Sequence, residues 1–154
     1  MGDARVVDVA FGYRCESLVR RFIENSTEIA GCVAWFTNPV LIHALGRLER
    51  RGQRVVVTAD AVHNRACVGL RRIGARQVGS ARGRFRALMH HKFLVRYTDG
   101  EPSHVLLGSY NFTRHSNRNI GESIIVLRDG STARLFAEEA ERAFRASRPI
   151  RQRY

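Results

Sequence analysis

The spacing of apolar residues changes period from block to block along this chain. Residues 6–11 read as a strand, and residues 15–25 place Leu18, Val19, Phe22 and Ile23 on one side of a helix. Residues 28–36 form the next apolar run. Asn38 is a helix cap with Pro39 in the first helical position, and Leu41, Ile42, Leu45 and Leu48 recur at helical spacing until Gly52. Residues 53–58 suit a buried strand, residues 61–73 a helix broken by Gly74, and residues 76–79 a short strand that leads into a basic loop. This β-α-β-α-β order predicts an α/β fold: a mixed, largely parallel β-sheet flanked by helices on both faces.

The rhythm changes in the second half. Residues 88–97 and 105–107 read as adjacent strands joined by the turn around Asp99-Gly100-Glu101-Pro102. Residues 123–127 are a further strand, and residues 132–144 a helix with Leu135, Phe136, Ala140 and Phe144 turned inward. Residues 148–154 are a basic tail. With no tandem repeat and no low-complexity segment, residues 1–154 are expected to form one domain.

Composition narrows the class of partner. The 154 residues are 44% hydrophobic, enough for a core, yet 26 basic against 14 acidic residues give a formal net charge of +12. Such an excess favours a polyanion, either nucleic acid or an anionic membrane surface. There is no apolar run long enough for a membrane span, and the first residues lack the basic-then-apolar pattern of a secretory signal. A membrane partner is therefore disfavoured and a cytoplasmic location expected. Cys15, Cys32 and Cys67 have no Cys-x-x-Cys spacing and read as core thiols. Without a carboxylate cluster or a Cys/His set at ligand spacing, the expectation is no metal and no cofactor.

The basic residues are also unevenly chosen. All are arginine except Lys92, in Met89-His90-His91-Lys92-Phe93. A compact ammonium on a flexible stem is what distinguishes lysine from arginine. Because side chains alternate along a strand, His90 and Lys92 are expected on one face and His91 and Phe93 on the other. A neutral histidine nitrogen can attack phosphorus while a lysine beside it neutralises a phosphate oxygen. Further on comes Gly108-Ser109-Tyr110-Asn111, where the glycine permits a sharp turn and Ser109 and Asn111 supply donors for another phosphate oxygen. Glu122 follows in Asn119-Ile120-Gly121-Glu122.

His-x-Lys followed by Gly-Ser-x-Asn resembles the signature of the phospholipase D superfamily, and nearest its small single-motif members, the bacterial Nuc-type endonucleases and the related nuclease Zucchini. The resemblance covers nearly the whole chain, weakly outside residues 89–122. It implies a phospholipase D-like fold, with His90 as nucleophile, Lys92 and Asn111 as phosphate ligands, Ser109 as a supporting donor and Glu122 as the acid that orients the imidazole. One position departs from the signature: Tyr97 stands where the motif has aspartate. Asp99, two residues later, is the nearest acid: either a local shift lets it substitute, or the site works without that carboxylate, or the protein is inactive. Because two-motif relatives use two histidines and this chain has one copy, the resemblance also implies a homodimer with two His90 residues across one phosphate. A covalent phosphohistidine intermediate without a metal ion goes with it.

Charge selects the substrate. Residues 61–87 carry Arg65, Arg71, Arg72, Arg76, Arg82, Arg84 and Arg86 without an acid, and Arg114 and Arg118 follow Asn111. Arg82, Arg84, Arg86, Arg114 and Arg118 are the expected contacts to DNA or RNA. The leading expectation is a metal-independent endonuclease. The alternatives are a catalytically degenerate nucleic-acid-binding protein, suggested by Tyr97, and a phospholipase D acting on anionic lipid.

Overall fold

The computed structural model of the chain describes residues 3–48, 52–58, 66–79 and 89–150. Eight strands run through them: β1 (Arg5–Phe11), β2 (Glu28–Val33), β3 (Gln53–Thr58), β4 (Arg76–Val78), β5 (Lys92–Thr98), β6 (Glu101–Gly108), β7 (Ser123–Arg128) and β8 (Arg148–Pro149). Four helices accompany them among the described residues: α1 (Arg14–Glu24), α2 (Pro39–Gly46), α3 (Ala66–Arg72) and α4 (Gly130–Ala146). The strands form one sheet in the order β1-β7-β6-β5-β2-β3-β4-β8.

The sheet is mixed, as the sequence predicts, but it is not largely parallel. Only β2–β3 and β3–β4 are parallel, and every other pairing is antiparallel. The parallel pairs are those joined through a helix, as a crossover requires. Past residue 89 the chain advances by hairpins instead. Asp99 and Gly100 both take positive φ, 52° and 79°, and Thr98 pairs with Glu101, so the β5–β6 turn has two residues in the left-handed conformation that matches strand twist. The shorter turn starts β6 at Glu101, earlier than the proline at 102 suggested.

Helices lie on both faces. On one, Leu18, Val19, Phe22 and Ile23 of α1 and Leu41 and Leu45 of α2 pack with Ile29, Val33, Leu94 and Leu106 from the sheet. On the other, α4 meets Ala30, Cys32, Phe93, Val95 and Val105. β5 thus alternates as predicted, Leu94 to one core and Phe93 and Val95 to the other. The inward stripe of α4 is Ala133, Ala137, Ala140 and Ala143, with Phe136 and Phe144 at its margins. Leu135 is exposed, contrary to the sequence expectation, because the alanines sit three and four apart and Leu135 falls off their stripe. Asp129 caps this helix by accepting from the Thr132 N–H at 2.9 Å.

The basic tail also differs from its reading as a tail. Arg148 and Pro149 form edge strand β8 against β4, and Ile150 is buried in the first core. Residues 151–154 lie outside the described residues. So do Arg82, Arg84 and Arg86 and the first part of the helix expected over 61–73.

Candidate active site

The sheet brings distant segments to one end. Register pairs Val33 with Lys92, Phe93 with Leu107, Gly108 with Ile124 and Phe11 with Ser123, so Val33, Lys92, Gly108, Ser123 and Phe11 stand along a single edge of strand termini. β3 and β4 end on that edge too, at Thr58 and Val78, paired in parallel. The carboxyl ends of the parallel strands point to it, which is where open α/β sheets hold ligands.

His90 lies just before β5 rather than within it, yet it still meets Lys92. Lys92 Nζ stands 3.3 Å from both ring nitrogens of His90 and donates to the His90 carbonyl at 3.0 Å. The segment is pinned from two sides: Ala34 N–H donates to the His91 carbonyl at 2.8 Å, and the Thr58 hydroxyl donates to the Met89 carbonyl. His91 points to the opposite face, its Nε2 3.0 Å from Glu139 Oε1 of α4. Partial burial pushes the Lys92 ammonium below the usual lysine range, while the Glu122 carboxylate pushes it back up.

Glu122 is itself fully engaged. Its two oxygens accept from the Ser109 hydroxyl at 2.6 Å and from Asn119 Nδ2 at 2.8 Å. Ser109 Oγ in turn accepts the Ser123 N–H at 3.0 Å. Among the described residues, therefore, Glu122 holds the serine and the 119 turn and makes no hydrogen bond to His90, whose ring is hydrogen-bonded to Lys92 instead. Gly108 is needed here for close approach. A Cβ on it would overlap the Ser123 carbonyl oxygen and press on Ile124 Cα.

Asn111 is held by its neighbours in sequence. Tyr110 and Phe112 are buried on either side of it, and Phe112 N–H donates to the Trp35 carbonyl while the Thr37 and Asn38 amides donate to the Phe112 carbonyl, each at 2.9 Å. Phe112 also meets Phe36 edge-on at 5.2 Å. Asn111 Oδ1 is buried and has no hydrogen-bond partner among the described residues.

Beneath this loop lies a polar network that sequence reasoning missed. Glu16 Oε2 accepts from Asn38 Nδ2 and Asn117 Nδ2, both at 2.6 Å, and the Tyr110 hydroxyl donates to Asn117 Oδ1 at 2.6 Å. One carboxylate of α1 thus ties the start of α2 to the loop after Asn111. Asn38 was legible as a cap, and it does accept the Val40 N–H. Its second bond, and that of Asn117 across 101 residues to Glu16, leaves no local trace in the sequence.

Asp99 is the first residue of the β5–β6 turn, at the opposite end of β5 from Lys92, so it does not serve this site. Seven strand residues separate the two ends by about 20 Å. Tyr97 lies on the α4 face with Phe144 and Ala140, away from Lys92. The departure from the signature therefore falls outside the cluster of His90, Lys92, Ser109 and Glu122. Arg114 and Arg118 are exposed in the loop that follows Asn111. Neither has a carboxylate partner among the described residues. No group of three or more His, Cys, Asp or Glu suited to a metal occurs among the described residues.

Comparison with known proteins gives the family and supports the fold. The family described as cardiolipin synthase, PLD-like domain matches residues 19–144. The mitochondrial cardiolipin hydrolase of Canis lupus familiaris is 29% identical over 137 residues, covering 87% of this chain and 52% of that protein. The chain thus spans about half the length of the curated relatives it matches. Among solved structures, Nuc of Salmonella typhimurium, a phospholipase D family member, superposes with a TM-score of 0.79 at 21% identity, covering 97% of this chain and 100% of that one. NucT of Helicobacter pylori gives 0.74 at 15% identity, covering 94% and 98%.

Proposed function

The chain belongs to the phospholipase D-like domain family, and from that premise we infer that it is a phosphodiesterase that cleaves nucleic acid, DNA or RNA, through a histidine nucleophile. The observation that carries the reading is the Lys92 ammonium set against both ring nitrogens of His90, at the same sheet edge as the Ser109–Glu122 pair. The ammonium in that place faces the charge that builds on a phosphate oxygen as a His90 nitrogen attacks phosphorus. Asn111, whose Oδ1 has no hydrogen-bond partner among the described residues, supplies a further donor through its Nδ2.

The reaction has two steps. A His90 nitrogen attacks phosphorus and the bond to the leaving nucleotide oxygen breaks, giving phosphohistidine. That oxygen takes a proton from His90 of the partner subunit in a homodimer. Water then attacks the phosphohistidine, its proton passing to the same partner imidazole, and His90 is released. The reading uses no metal ion. An apolar rim supports the dimer: Phe11 and Tyr13 are 66% and 70% exposed, and Ile120 is fully exposed. These residues flank the site directly, since Gly12 N–H donates to the Glu122 carbonyl at 2.9 Å. An apolar rim beside half of a two-histidine site is what a twofold interface needs.

The name of the curated relatives favours one second reading, hydrolysis of a phosphatidyl phosphodiester. No helix among the described residues is long and apolar enough to cross a membrane. The degenerate-site alternative loses its motive, because Tyr97 is remote from the site. The deciding experiment offers labelled single- and double-stranded DNA and RNA, and cardiolipin vesicles, to the chain in excess EDTA, with His90→Ala in parallel. Nucleic-acid cleavage that survives chelation and vanishes in the variant is expected. Cleavage of vesicles alone would install the lipid reading, and binding without any cleavage the degenerate one.

A further inference from the structure

We propose that the groove between α2 and α3 is a track for the part of a single-stranded nucleic acid that continues away from the scissile phosphate. The proposal rests on the phosphodiesterase reading and names the route its substrate takes. The groove has a volume of about 930 Å³; Ile42 and Ile73 contribute apolar wall, and Arg47, Arg72 and Arg114 stand around it. Glycines let the two helices approach. A Cβ on Gly69 would lie 3.0 Å from Ile42 Cγ2, and one on Gly46 3.3 Å from Ile73 Cγ2.

Three features select the occupant. First, the groove begins at the site: Thr37, in its wall, donates its N–H to the Phe112 carbonyl, one residue past Asn111. Second, its cations are in no ion pair among the described residues. None of Arg47, Arg72 and Arg114 has a carboxylate partner among the described residues, whereas Arg134, Arg142 and Arg145 on α4 all do. Third, the charges are spread along a length. The eight residues of α2 span about 12 Å, with Arg47 just beyond the last of them and Thr37 and Arg114 toward the first. One lipid headgroup would satisfy one end; a strand with a phosphate at every nucleotide reaches both, and the apolar walls take the flat faces of its bases.

The test measures binding of a long single-stranded oligonucleotide and of a dinucleotide as a function of salt, in a His90→Ala background that prevents turnover. Arg47→Glu with Arg72→Glu is expected to reduce the slope of log affinity against log salt by about 1.4 for the long strand, at roughly 0.7 per lost phosphate contact, with no change for the dinucleotide. The charge-matched control, Arg134→Glu with Arg145→Glu, is expected to leave the slope unchanged. Arg47→Gln with Arg72→Gln repeats the comparison should the charge reversal disturb folding, and shifts the slope the same way. An unchanged slope in the groove variants, an equal loss in the control, or a loss seen only with phosphatidylglycerol vesicles would overturn the proposal. If the parent chain binds through the groove yet cuts no strand, the nuclease reading fails and the track stands.

Discussion

Glu122 serves three neighbours at once: it accepts from Ser109 and Asn119 and acts on the Lys92 charge. Burial alone depresses the Lys92 ammonium, and the carboxylate offsets part of that. Replacing Glu122 by glutamine removes the offset, so Lys92 loses its proton at lower pH. Because the proposed mechanism needs the ammonium, the alkaline limb of the kcat/KM profile is expected to move to lower pH; an unmoved limb would assign it to another group. A second residue-scale expectation concerns the missing motif aspartate. Tyr97→Asp discards ring packing against α4 and is expected to lower stability by about 2 kcal/mol, read as a fall in Tm, with kcat unchanged. A rise in kcat would show that position 97 reaches the site after all. The candidate site of His90, Lys92, Ser109, Asn111 and Glu122 could be named from the sequence because its motifs are short in spacing and distinctive in chemistry. Glu16 was not, since a helix-surface glutamate looks the same whether it faces water or two asparagines from elsewhere in the chain.

At the scale of elements, the first half of the fold was readable because its helices and strands each carry a clean period and lie in order. The sheet proved mostly antiparallel because direction is set by connections, and a two-residue Asp99-Gly100 turn admits only a hairpin. Leu135 was misplaced because the small residues that let α4 lie close to the sheet carry little hydrophobic signal. That helix also braces the site strand. Glu139 accepts from Arg142 at 2.6 and 2.8 Å and meets His91, one residue from His90. Chiefly through Arg142, with His91 adding to it, the Glu139 carboxyl is held down to about 2 from an ordinary 4.5. A depressed carboxylate contributes stability that is present above the unfolded value and lost as pH falls through the folded one. Glu139→Gln is therefore expected to remove part of the stability that the parent chain sheds between about pH 4.5 and pH 2, as measured by denaturant unfolding across that window. Identical pH dependence in the two proteins would contradict the pairing.

For the whole molecule, the apolar rim of Phe11, Tyr13 and Ile120 makes association and activity inseparable under the proposed mechanism. Phe11→Asp combined with Ile120→Asp is expected to yield monomers in sedimentation, with native circular dichroism, stability altered by no more than about 0.5 kcal/mol per surface change, and phosphodiesterase activity abolished. A monomeric variant that still cuts would separate the two. The solitary amine side chain has a consequence for handling the protein as well. A lysine-directed endoprotease finds one bond in the whole chain, Lys92–Phe93, and that bond opens the strand lying between β2 and β6 at the middle of the sheet. While the sheet is closed the bond is shielded, so the appearance of two fragments times the opening of the strand that carries Lys92, with no probe attached.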